Sequence, residues 1–120
     1  MALKYLIFDS EACFCGRKFK FQKSPDDDLK FTVDFRSILP EGVYVDSVAV
    51  TVTDKRTGVD ETLNIYVPPA EFYLDLDLNQ VGVTVSIKDG TIGHGYDVKL
   101  LVSLDDTFTV LDRTVEFNVK

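Results

Sequence analysis

The chain has 120 residues, 45% of them hydrophobic, and a formal net charge of −7. A chain of this size is expected to form one domain that buries roughly 65% of its unfolded surface, enough core to need neither metal nor disulfide. Its apolar content excludes a disordered protein, and no run approaches the ~20 consecutive apolar residues of a membrane helix.

Residues 1–22 stand apart from the rest. The start, Met1 to Phe8, has a short apolar run but no long hydrophobic region or small-residue cleavage site, so no signal peptide is expected. Up to residue 23 the segment carries Lys4, Arg17, Lys18, Lys20 and Lys23 against Asp9 and Glu11, a net +3. Residues 24–120 carry eight basic and eighteen acidic residues, a net −10. Such asymmetry suggests separate jobs, with the basic segment suited to an acidic partner. The acidic body lacks the clustered Lys and Arg that phosphate contact needs, so nucleic acid is not an expected partner, and neither is a membrane. Cys13 and Cys15 are one residue apart; a bridge between them would be strained and would close almost no loop, so reduced thiols are expected. Phe19 and Phe21 alternate with Lys18, Lys20 and Gln22. The segment reads either as an extra strand or hairpin or as an arm ordered by a partner. Lys23-Ser-Pro-Asp-Asp-Asp28 reads as the linker to a body of residues 23–120.

Along that body, period-two alternation recurs, the mark of strands with one buried face. Phe31, Val33 and Phe35 form the first set, followed by Val48, Val50 and Val52. Leu63, Ile65 and Val67 repeat the pattern, then Leu74, Leu76 and Leu78, then Val81 to Ile87. Tyr96 to Leu104 is the longest set, and Val115, Phe117 and Val119 close the chain. Pro40-Glu-Gly42, Asp54 to Gly58, Lys88-Asp-Gly90 and Asp105-Asp106 supply turn chemistry: Gly takes positive φ and Asp bonds its own backbone. About seven strands at this spacing predict an all-β fold, an immunoglobulin-like β-sandwich with an N-terminal arm or hairpin. The inter-sheet cysteine pair and core Trp of antibody domains are missing.

Candidate sites for chemistry each have a plainer structural reading. Cys13, Cys15 and a distant His94 have the wrong number and spacing for zinc. Asp75-Leu-Asp-Leu-Asn79 lacks the Gly and the bidentate Glu of a calcium loop, and reads as a strand with the leucines inside and the acids solvated. His94, between Gly93 and Gly95, reads as an exposed turn residue with no Gly-x-Ser-x-Gly nucleophile to serve. Gly90, Gly93 and Gly95 lie between strands and open no helix, which does not suit a phosphate loop. No enzyme, no cofactor and no metal are expected.

Two patterns carry a resemblance. The first is Lys23-x-Pro25-Asp26 leading to Val33-Asp34-Phe35, a Leu39-Pro40-x-Gly42 turn and a Val48–Val52 strand. The second is Val85-x-Ile87-x-Asp89-Gly90-Thr91-x-Gly93-x-x-Tyr96-x-Val98. Together they make residues 23–120 resemble the small immunoglobulin-like virion structural proteins of tailed bacteriophages, of the head-associated or decoration type. The resemblance implies a non-enzymatic virion component, assembled in the host cytoplasm, that decorates the capsid and projects the sandwich. Its partner would be the major capsid protein or another virion protein, with self-association on the particle also possible. A tail- or fibre-associated adhesion module binding host-surface glycan is the alternative, and an assembly chaperone a third reading. On the capsid reading the anchor is the arm, with Tyr5, Phe8, Phe14, Phe19 and Phe21 as ring contacts and Arg17, Lys18 and Lys20 at a charged rim.

Overall fold

In the computed structural model the described residues are 4–9, as backbone, and 19–120. They form strands β1 (Lys4–Asp9), β2 (Phe19–Lys23), β3 (Leu29–Asp34) and β4 (Val45–Asp54), then a single helical turn α1 (Thr62–Ile65). Strands β5 (Tyr66–Leu74), β6 (Gln80–Ile87), β7 (Gly95–Leu104) and β8 (Val110–Val119) complete the order. Two four-stranded sheets result, β1-β3-β6-β5 and β2-β8-β7-β4. Strands β1 and β2 pair in parallel with β3 and β8, while the other ladders are antiparallel. This is a β-sandwich of immunoglobulin type.

Alternation decides which side chains meet between the sheets. Phe31 and Val33 from β3 and Val83, Val85 and Ile87 from β6 face Val98, Leu100, Val102, Val115 and Phe117 from β7 and β8, all fully buried. Each such residue contributes roughly 1.5–3 kcal/mol relative to exposure. Phe21 stacks on Phe117 with centroids 5.4 Å apart, and Tyr96 stacks on the same ring at 5.1 Å. The Tyr96 hydroxyl accepts the Thr91 backbone N–H at 2.9 Å. This tyrosine corner pins the turn that enters β7.

Three local expectations are corrected. Leu63, Ile65 and Val67 do not form one strand: α1 interrupts, burying Ile65 and leaving Leu63 exposed. Leu74, Leu76 and Leu78 do not line a strand either. Strand β5 stops at Leu74, and Leu76 and Leu78 stand exposed in the turn that follows. The reason lies in Asp75, whose carboxylate accepts the Asp77 and Asn79 backbone N–H groups at 2.9 Å each and so competes with the ladder. Lys23 to Asp28 is a tight turn between β2 and β3 rather than a linker: the Asp27 carboxylate accepts the Ser24 N–H, and the Asp27 N–H donates to the Ser24 carbonyl. The buried Lys23 ammonium donates to the carbonyls of Ser24 and Asp89, and desolvation draws its pKa below the usual 10.5.

Candidate functional site

The residues expected to form an anchoring arm divide into three groups. Phe14, Arg17 and Lys18 lie outside the described residues, as do Cys13 and Cys15. Tyr5 and Phe8 fall in β1, in register with Lys30 and Val33. Phe19, Lys20 and Phe21 fall in β2, opposite Val115, Glu116 and Phe117. Phe19 and Phe21 pack on the core, and the Lys20 ammonium lies 3.6 Å from the buried Glu116 carboxylate, which Lys55 also approaches. These three side chains are therefore engaged with the sandwich itself.

His94 is half-buried and paired, in contrast to the exposed turn residue expected. Its Nδ1 lies 2.7 Å from Asp54 Oδ2, and Asp54 Oδ1 accepts the Arg56 and Thr57 N–H groups. The His94 bond, foremost among several causes, holds the Asp54 carboxyl below its ordinary 3.8. The pair ties the 55–58 turn to the 88–94 turn, which is a structural task. Among the described residues no three His, Cys, Asp or Glu side chains converge in a way that could hold a metal ion.

A different cluster stands out at the end of the sandwich where β3, β5 and β7 finish. Three turns meet there: residues 35–44, 75–79 and 105–109. The first is the middle piece. Its Ile38 and Leu39 N–H groups return to the Phe35 carbonyl, and both side chains pack against the core. It is tied to 105–109 by a reciprocal pair, the Tyr44 N–H to Asp105 Oδ1 at 3.0 Å and the Asp105 N–H to the Tyr44 carbonyl at 2.9 Å. On its other side Arg36 forks the Asp34 carboxylate and lies 5.6 Å from the centre of the Tyr73 ring, next to the 75–79 turn. Gln80 adds a bond from its side-chain amide to the Val45 carbonyl at 2.7 Å.

The two outer turns are capped from within. Asp75 holds 75–79 as described, and Asp106 Oδ1 accepts the Phe108 and Thr109 N–H groups at 3.2 and 2.9 Å. Both carboxyls are pulled below their ordinary 3.8. The leading cause for Asp75 is the Asn79 backbone N–H, and for Asp106 the Thr109 hydroxyl. Each turn also holds a bulky residue at positive φ, Leu78 at 65° and Thr107 at 72°. Such a conformation is a genuine outlier for a bulky or β-branched side chain and costs on the order of 1–3 kcal/mol.

These locked turns present apolar tips to solvent. Leu76 is fully exposed, Leu78 is 74% exposed and Phe108 is 82% exposed. Beside Phe108 runs a groove of about 390 Å³ whose walls include Asp46, Ser47, Ser103 and Val110. Sequence reading overlooked these tips. Asp75-x-Asp77-x-Asn79 has the spacing of an Asp-capped turn, and that signal was available in place of the leucine alternation.

No protein family and no curated protein matches this sequence. Solved structures similar to it include amebosin, with a TM-score of 0.44, 10% identity, and coverage of 97% of this chain and 98% of that one. Another is the cysteine protease inhibitor EhICP2 from Entamoeba histolytica, with a TM-score of 0.46, 10% identity, and coverage of 100% and 99%. The expectation of a phage virion component is corrected on that finding: neither of these neighbours is a virion protein by name, and one of them is a cysteine protease inhibitor. The capsid-decoration role, its tail-adhesin alternative and the capsid protein as partner are set aside with it.

Proposed function

We propose that this chain is a non-enzymatic protein-binding module that engages its partner through the three turns at the 35–44, 75–79 and 105–109 end. The observation that carries this reading is the pairing of exposure with rigidity. Leu76, Leu78 and Phe108 are solvent-facing, yet the backbone beneath them is fixed by carboxylate caps and inter-turn hydrogen bonds. A rigid apolar tip loses little conformational entropy on binding, so more of its buried area appears as affinity. A few well-packed anchors carry most of the energy at an interface, about 2 kcal/mol or more each. Convex tips of this kind suit an apolar cleft on a folded partner. A protease cleft is one such shape, and a cysteine protease is the first probe to apply, as EhICP2 is titled an inhibitor of that class.

The test uses the full chain in two assays. One measures the rate of a cysteine protease on a fluorogenic peptide, with and without the chain. The other selects binders from a displayed random-peptide library. In whichever assay binding is found, Leu76→Ser and Phe108→Ser should each weaken it at least about tenfold while leaving the melting curve in place. Val59→Ser and Leu63→Ser, at the other end, should leave it unchanged. The reading fails if binding ignores the tip substitutions and follows Val59 or Leu63. It fails equally if neither assay yields binding at the tips.

A further inference from the structure

The groove beside Phe108 has features that say what kind of residue the partner brings to it; this inference rests on the binding-module reading above. The ladder between β4 and β7 steps from Val45 opposite Leu104 to Ser47 opposite Ser103, so Asp46 is an extra residue in a β-bulge. A bulge re-aims the side chain it carries. Here it leaves Asp46 exposed and lining the groove, together with Ser47, Ser103 and Phe108. A carboxylate, two hydroxyl side chains and an aromatic ring in one groove are groups that suit a cation.

The surrounding charge agrees. Segments 34–46, 75–79 and 103–110 hold seven carboxylates against the single guanidinium of Arg36, a net −6. Segments 23–28, 54–61 and 88–94 at the other end hold seven carboxylates against four basic groups, a net −3. Asp75 and Asp106 have their carboxylates occupied by turn N–H groups and Asp34 by Arg36, whereas Asp46 stands at the groove with its neighbours Ser47 and Ser103.

We infer that the partner's docking surface is basic, and that an arginine side chain of it seats in this groove, its guanidinium on the Asp46 carboxylate and against the Phe108 ring. Arginine suits the site better than lysine because its planar fork bonds a carboxylate and stacks on a ring at once. The apolar tips Leu76 and Leu78 then fill the partner's cleft, while the groove fixes orientation.

The probe is a pair of short peptides, acetyl-Leu-Arg-Leu-amide and the same peptide with citrulline, a neutral isostere, in place of arginine. Each is titrated into the isotopically labelled full chain and followed by backbone amide chemical shifts. The arginine peptide should move the amides of Asp46, Ser47, Ser103 and Phe108 and saturate at about millimolar concentration. The citrulline peptide should bind at least about fivefold more weakly, and Asp46→Asn should bring the arginine peptide down to the same level. Phe108→Leu, which keeps apolar bulk, should weaken it about two- to fivefold. Equal affinity for the two peptides, or shifts confined to another face, would overturn the inference. So would an absence of shifts at the groove up to about 20 mM peptide. If library binders map to the tips but are not basic, only this inference fails. If they ignore the tips, the binding-module reading itself fails.

Discussion

The two ends of the sandwich face the same task, reversing the chain between strands, and use different residues for it. At the end where β4 and β6 finish, positive φ falls on Gly58, Gly90 and Gly93, joined by Asp89, a residue type that tolerates it. At the opposite end Gly42 takes one such position, but Leu78 and Thr107 take the others. The first end ties its turns with polar groups, through Asp54 to His94, Lys23 to Asp89 and Thr91 to Tyr96. The second end uses carboxylate caps to hold strained turns whose neighbours are Leu76 and Phe108. Strain that glycine would remove has been kept where a side chain projects, and that contrast marks the second end as the working one.

The largest expected effect lies at neither end. Phe117→Ala removes the ring on which both Phe21 and Tyr96 stack, and should lower stability by about 3–5 kcal/mol in a urea titration. A loss under about 1 kcal/mol would mean that the sheets do not close on that ring.

Next comes a matched pair of backbone substitutions. Gly58→Ala puts a Cβ at φ 74° with open space around it, so only the conformation resists, and stability should fall by about 1–2 kcal/mol. Leu78→Gly should instead gain about 0.5–1 kcal/mol, as released strain outweighs the added chain entropy, while any partner binding at the tips weakens. Thermal melts of both variants check this, and a loss of stability in Leu78→Gly would erase the difference between the two ends.

Acid should loosen the second end's caps. Asp75 and Asp106 have folded pKa values below the ordinary 3.8, so their contribution is fully present above about pH 4 and is lost as pH falls through the lowered values. Amide exchange at Asn79 and Thr109, corrected for its intrinsic pH dependence, should therefore be equally protected at about pH 5 and pH 7 and less protected near pH 2. Protection lost already between pH 7 and pH 5 would point to another group as the cap.

The smallest effect belongs to the exposed apolar residues of the first end. Val59→Ser and Leu63→Ser should change stability by no more than about 0.5 kcal/mol, as surface changes away from caps and core usually do. A larger drop in the melt would show that these side chains contribute to the packing of the fold.

Much of the architecture is legible in the sequence because a sandwich is built from period-two alternation. Phe31 and Val33, Val81 to Ile87, Tyr96 to Leu104 and Val115 to Val119 all lie in strands with the expected face inward. Each set buries a full row of side chains, and that hydrophobic gain exceeds any local preference. Alternation misled where a capping carboxylate could offer the backbone a better bond than a ladder. Leu74-Asp75-Leu76-Asp77-Leu78 has a strand's pattern, yet Asp75 gathers two backbone N–H groups and ends β5 before Leu76. Leu63 and Ile65 failed in the same way, with Asp60 bonding the Thr62 N–H and hydroxyl at the entry to α1.

The sequence by itself determined the fold class, the core rows and the acidic excess, since these follow from spacing and composition along the chain. Only the tertiary structure decided which loops share an end, because that depends on strand order within the two sheets. It alone brought residues 35–44, 75–79 and 105–109 together, turned Asp46 out at a bulge beside Phe108, and drew Phe19 and Phe21 onto the core. Each of these rests on pairing between segments many residues apart, where neither propensity nor local pattern carries information.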